Sequence, residues 1–136
     1  MIAFFDASAL IYFIEGAEPF GSQVRTELAR LARRHPNIGA AVSRLSWLEC
    51  RVKPMRNRDR AVLSQFDAFF ARPDLSWVEL TRDVVELATE VRVRHHLRTP
   101  DALQAASCLQ LGPEHAFITG DAAFKKVNSL NALILR

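Results

Sequence analysis

Short, unbroken apolar runs alternate along this chain with longer stretches whose apolar positions recur every three or four residues. The run Met1 to Phe5 is stopped by Asp6, the pattern of a strand buried on both faces of a parallel sheet. Ile38 to Val42, Trp77 to Leu80, Ala116 to Thr119 and Leu133 to Leu135 are further runs of strand length. Between them, ASALIYFIEG predicts a helix ending near Gly16, and Ser22 to His35 predicts a surface helix with Val24, Leu28 and Leu31 on its apolar side, stopped by Pro36. Ser43 to Val52 reads as a helix ended by Pro54, PMRNRDR as a basic turn, and Ala61 to Phe70 as a helix closed by Pro73. Val84, Leu87, Ala88 and Val91 mark a helix running toward His95. Thr99 as N-cap and Pro100 at the first helical position open DALQAASCLQL, which Gly112 and Pro113 end, and Ala122 to Val127 predicts a short helix.

Strands separated by helix-length connections imply a parallel sheet covered on both faces, so the class is α/β. Strand order is not legible, because periodicity reports buried faces and not neighbours. The 136 residues fall in the range of one domain, read as spanning 1–136, and 49% apolar with 24% charged excludes a disordered chain.

The net charge of +3 is modest, but Arg greatly outnumbers Lys. A guanidinium presents two parallel donors to phosphate where an ammonium is a point charge; a GC-rich coding sequence gives the same bias. Cys50 and Cys108 lie far apart without CxxC spacing, so they read as buried thiols in a reducing cytoplasm and not as a disulfide or zinc framework. The apolar N-terminus lacks a basic n-region and contains Asp6, against a signal peptide. No stretch approaches the roughly 20 apolar residues that span a bilayer. A cytoplasmic protein without a membrane segment is expected.

Four acids stand at or near strand-to-helix junctions. Asp6 follows the first strand, Glu49 lies near the start of the helix after the second, Asp101 opens the helix after Thr99 and Pro100, and Asp121 follows AFIT. Ligand sites of open parallel sheets lie beyond the carboxyl ends of the strands. Each acid alone also has a local reading: Glu49 stands at capping-box spacing from Ser46, Asp101 favours a helix dipole, and Asp121 fits an N-cap. Asp6 is the hardest to dismiss, since a carboxylate ending a buried strand needs something to offset its desolvation. Brought together, carboxylates about 4 Å apart repel by roughly 4 kcal/mol at an effective dielectric near 20, so four require a cation. Oxygen ligands without His or Cys select a hard ion, Mg²⁺ or Mn²⁺, which can activate water against a phosphodiester.

The segments FFDASALIYF, SRLSWLE, LRTPDALQAA and FITGDAAF, in this order, resemble the four acidic blocks of PIN domains, above all the VapC-type toxins of toxin–antitoxin pairs. The resemblance spans nearly the whole chain. It implies a three-layer α/β/α sandwich around a parallel sheet, Mg²⁺- or Mn²⁺-dependent endoribonuclease activity on RNA, a homodimer and a cognate antitoxin. Carried over block by block, Asp6, Glu49, Asp101 and Asp121 become the catalytic, metal-binding acids, with Ser8 and Thr119 as supporting hydroxyls. Local backbone hydrogen bonding at a turn explains the two hydroxyls equally well. PMRNRDR is more basic than the family pattern requires.

Arg51, Lys53, Arg56, Arg58 and Arg60 form one basic cluster; Arg92, Arg94 and Arg98, with His95 and His96, form a second just before Asp101. The second is the candidate RNA-binding group, with a solvated helix face as the other reading of both. Most Phe residues sit at core spacings, whereas Tyr12, Phe13 and Trp47 are candidates for a dimer or antitoxin surface. A haloacid-dehalogenase-type phosphatase would have a second Asp where Ser8 stands, and a receiver-like domain would need an acidic pair at the first strand. The remaining alternative is a catalytically silent PIN-fold module that binds RNA or protein, against which the presence of all four acids argues.

Overall fold

The computed structural model describes residues 1–136. In chain order it runs β1 (Ile2–Phe5), α1 (Ala7–Glu15), α2 (Phe20–Arg34), β2 (Gly39–Ser43), α3 (Arg44–Arg56), α4 (Arg60–Phe70), β3 (Leu75–Val78), α5 (Arg82–His95), α6 (Thr99–Leu109), β4 (His115–Thr119), a 3₁₀ turn (Ala122–Lys126) and β5 (Ala132–Ile134). All five strands pair in parallel, in the order β3-β2-β1-β4-β5.

The unbroken apolar runs carry a hidden period of two, because successive side chains of a strand face opposite sides of the sheet. Phe4 of β1 aligns with Ala41 of β2 and Phe117 of β4, and all three pack with Val84, Ala88 and Val91 of α5 and Ala102, Ala105 and Ala106 of α6. Phe5 aligns with Val42 and Ile118 and joins Ala9 and Leu10 of α1, Val24 of α2, Cys50 of α3 and Phe66 and Phe70 of α4. The result is the expected three-layer α/β/α sandwich, with α1 to α4 on one face and α5, α6 and the 3₁₀ turn on the other. The rings of Phe4 and Phe117 stack across the two central strands with centroids 5.4 Å apart. Both cysteines are buried free thiols, as expected.

Four local expectations are corrected. Pro54 does not end α3, which continues to Arg56; proline removes one intrahelical donor, near the end of this helix, and its ring is accommodated in a buried position. The turn within PMRNRDR is confined to residues 57–59, where Arg58 takes the left-handed conformation at φ 54°. The cap of α6 is Arg98, with Thr99 and Pro100 already inside the first turn and no side-chain cap bond. The third strand also begins earlier, at Leu75, and ends at Val78.

From β1 the chain moves outward through β2 to β3, then returns to lay β4 on the other side of β1. The junction of β1 and β4 is therefore the sheet's topological switch point, where crevices open beyond the carboxyl ends of the strands.

Candidate metal and catalytic site

Asp6 and Thr119 end the two strands at that switch point. Phe5 is in register with Ile118, and the Asp6 N–H donates to the Ile118 carbonyl at 3.2 Å, so the next residues face each other across the crevice. Asp6 is only 5% exposed and caps α1. Its Oδ1 accepts the Ala9 N–H at 2.9 Å and the Ser8 hydroxyl at 2.7 Å, while its Oδ2 accepts the Thr119 hydroxyl. Thr119 Oγ1 in turn accepts the backbone N–H of Asp121 at 3.0 Å, and Ser8 Oγ accepts that of Gly120 at 3.0 Å. The two hydroxyls thus lace the β1–α1 junction to the β4 junction. Gly120 is needed for its small size: a Cβ there would lie 2.8 Å from the Tyr12 ring, which is stacked on Phe20.

Asp121 caps the 3₁₀ turn, its Oδ1 accepting the Ala123 N–H at 2.9 Å. Glu49 lies in the second turn of α3. The capping-box reading of Ser46 and Glu49 does not hold, because Ser43 is the cap and accepts the Leu45 N–H at 3.1 Å. Ser46 and Glu49 instead take the two donors of one amide: Gln104 Nε2 lies 3.0 Å from Ser46 Oγ and 2.9 Å from Glu49 Oε1. Asp101, in the first turn of α6, pairs with Arg98 at 3.3 Å.

Burial pushes the Asp6 carboxyl up from 3.8 to about 6, against the lowering effect of hydrogen bonds from Thr119, Ala9 and Ser8; the neighbouring Glu49 charge adds the smallest upward contribution. Burial also raises Glu49; the Gln104 hydrogen bond opposes this, the Asp101 charge adds to it and Arg98 offsets it. Repulsion among the acids is therefore secondary to desolvation at Asp6 and Glu49. Asp6, Glu49 and Asp101 influence one another in turn through their charges, whereas Asp121 is tied to Asp6 only through its backbone N–H on Thr119. They are not closed to coordination distance: no three His, Cys, Asp or Glu side chains are gathered tightly enough to hold an ion between them. In donor chemistry the set still fits a hard divalent cation, being made of carboxylates, of which Asp6 and Glu49 have charged forms that burial disfavours without one. Cys50 faces the same region, 4.0 Å from the Ala7 carbonyl, but burial and the charges of Glu49 and Asp6 keep its thiol protonated.

Of the second basic cluster, Arg98 stands beside an acid of the site, with an 81% exposed side chain. Arg92 Nη1 donates to the Leu97 carbonyl at 2.8 Å and closes the α5–α6 turn, while Arg94 is exposed on α5. In the first cluster, Arg51 pairs with Asp67 at 3.0 Å and lies 4.3 Å from the Trp47 ring centroid. Trp47 also packs against Phe70 and Trp77, and Phe13 against Phe5 and Phe69, so both are engaged within the fold. Gln104 and Gly120 were not singled out by sequence. An amide within the small-residue run of DALQAASCL, three positions after Asp101, was the available signal for Gln104.

The sequence model of the PIN domain matches residues 3–130. No curated protein sequence matches the chain. Among solved structures, the chain is similar to VapBC2 from Rickettsia felis bound to a DNA fragment from its promoter, at 17% identity over 100% of both chains with a TM-score of 0.78. It is also similar to VapBC-1 from nontypeable Haemophilus influenzae, at 14% identity over 98% of both chains and a TM-score of 0.67. A toxin–antitoxin complex from Klebsiella pneumoniae matches at 22% identity over 94% of both chains with a TM-score of 0.63.

Proposed function

Because the chain belongs to the PIN-domain family, we propose that it is a metal-dependent endoribonuclease, acting in the cytoplasm as the homodimeric toxin of a toxin–antitoxin pair. The observation that carries this reading is Asp6: a buried carboxylate at the switch point, held by three donors, with Glu49 as a charged neighbour. Three hydrogen bonds do not offset its desolvation, and a divalent cation would.

Asp6, Glu49, Asp101 and Asp121 are the residues that would hold Mg²⁺ or Mn²⁺. When bound, such an ion supplies an activated water and neutralises charge on an attacked phosphate. Ser8 and Thr119 fix both oxygens of Asp6 and thereby its orientation. Asp101, with a 19% exposed side chain, and the solvent-exposed Arg98 mark the open side of the site, where a phosphate backbone can approach and find a cation. The antitoxin is supported by the toxin–antitoxin complexes among the similar structures.

A catalytically silent fold that only binds RNA or protein is the competing reading, favoured by acids that are not closed to coordination distance. Cleavage of structured RNAs by the purified protein in EDTA, Mg²⁺, Mn²⁺ and Ca²⁺ separates the two. Cleavage in Mg²⁺ or Mn²⁺ that EDTA stops supports the nuclease. Equal cleavage in EDTA ends the metal reading, and none in any condition favours the silent module.

A further inference from the structure

A buried polar seam joins α3 to α6. Ser43, Ser46 and Glu49 succeed one another at intervals of three along the start of α3, and Asp101, Gln104 and Ser107 do the same along α6. The two rows meet in opposite directions. Ser107 Oγ lies 2.9 Å from Ser43 Oγ, Gln104 Nε2 bonds Ser46 and Glu49, and Asp101 acts on Glu49 through its charge. Ser43, Ser46, Gln104 and Ser107 are all buried.

Gln104 is the unusual member. It is 3% exposed, and its Oε1 is the only buried side-chain nitrogen or oxygen in the protein without a hydrogen-bond partner. An unsatisfied buried carbonyl costs about 1–3 kcal/mol. The fold could avoid that by turning the amide over only if Oε1 then faced the Glu49 carboxylate, acceptor against acceptor. It could also avoid it with Leu or Met, which fill similar space without a polar atom. A staple to Ser46 alone would need one donor. The amide spends its second on Glu49 Oε1, and no hydrogen bond reaches Glu49 Oε2.

We infer that Gln104 is a positioning residue for Glu49, holding one carboxylate oxygen by its Nε2–H and leaving the other for the metal ion. The inference rests on the metal-dependent reading given above and adds to it a residue that does not itself touch the ion. Supporting partners of this kind change metal affinity by about tenfold to a hundredfold when removed. A donor to the ionised carboxylate also favours the charged form that an ion requires.

The test is calorimetric titration of Mn²⁺ alone into wild-type, Gln104→Met and Ser46→Ala protein. Gln104→Met removes the donor while keeping the bulk; Ser46→Ala removes the seam contact and keeps the Glu49 contact. The expected result is that Gln104→Met weakens Mn²⁺ binding at least about tenfold, whereas Ser46→Ala stays within about twofold of wild type. Equal affinity in wild type and Gln104→Met overturns the inference alone. So does an equal loss in both variants, since the effect would then travel through helix packing. A wild-type protein that binds no Mn²⁺ overturns the metal reading and this inference with it. If Gln104→Met does not fold, amide proton–nitrogen spectra of the wild type decide: the Gln104 side-chain pair should shift in step with Mg²⁺ saturation while those of the exposed Gln65 and Gln110 stay still. An unmoved Gln104 pair overturns the inference.

Discussion

The Thr119 hydroxyl donates to Oδ2 of Asp6, across 113 positions of sequence, and Thr119 Oγ1 itself accepts the backbone N–H of Asp121 at 3.0 Å. One side chain at the end of β4 therefore sets both the carboxylate that ends β1 and the backbone that carries the next acid. Because parallel strands β1 and β4 are neighbours, this tie closes the crevice floor where the strand order reverses.

Replacing Thr119 with Val keeps its shape and removes that tie. Asp6 Oδ2 and the Asp121 N–H both lose their partner in a part-buried or buried setting. Thr119→Val is expected to lose roughly 1–3 kcal/mol of stability, and Thr119→Ser much less. Urea unfolding of the two variants measures this. Equal stability of Thr119→Val and wild type would mean that the hydroxyl bridge contributes nothing.

Asp6 also gives the metal-free protein a characteristic pH dependence. Its carboxyl titrates at about 6 in the folded chain against 3.8 ordinarily, so between those values the folded state holds the extra proton. Stability contributed by this group is therefore lost as pH rises through that window, by an amount on the order of 3 kcal/mol, and the loss is complete above it. In EDTA, Asp6→Asn should be as stable as wild type or more so at pH 7, and the difference should shrink toward pH 4. Denaturant midpoints at the two pH values check this. A variant that is less stable than wild type at pH 7 would contradict the assigned desolvation.

The arginines near α6 separate by role. Arg98 is exposed beside Asp101, so Arg98→Gln should weaken RNA binding and lower the salt slope by about 1 while leaving stability nearly unchanged. Arg92 closes the α5–α6 turn through the Leu97 carbonyl, so Arg92→Ala should lower stability by about 1 kcal/mol. Filter binding across a salt series and denaturation of each variant distinguish them. An unchanged slope for Arg98→Gln would return Arg98 to a solvated helix end.

Much of this architecture was legible because burial on both faces leaves unbroken apolar runs, and Met1 to Phe5 or Ala116 to Thr119 have no other good reading. Strand order was not, since nothing in Phe4 or Phe117 names its neighbour. Pro54 misled because proline costs a helix one i→i−4 hydrogen bond without forbidding its continuation, and α3 runs on to Arg56. Asp6 and Asp121 were placed by their strands. Glu49 and Asp101 depended on how α3 and α6 pack, and the contact that joins those helices runs through Gln104, a side chain whose partners are 58 and 55 positions away. Ser46 looked like a cap because the spacing was right; Ser43, three residues earlier, holds that place.

RNA cleavage by wild-type, Asp6→Asn and Asp101→Asn protein at saturating Mn²⁺, with melting curves to show that each is folded, tests the proposed site most directly. The expected result is cleavage by wild type alone, together with an Mn²⁺-induced rise in melting temperature that both variants largely lose, since an ion that binds only the folded state stabilises it by mass action. Cleavage retained in both variants would contradict the assignment of these carboxylates, whatever the fold.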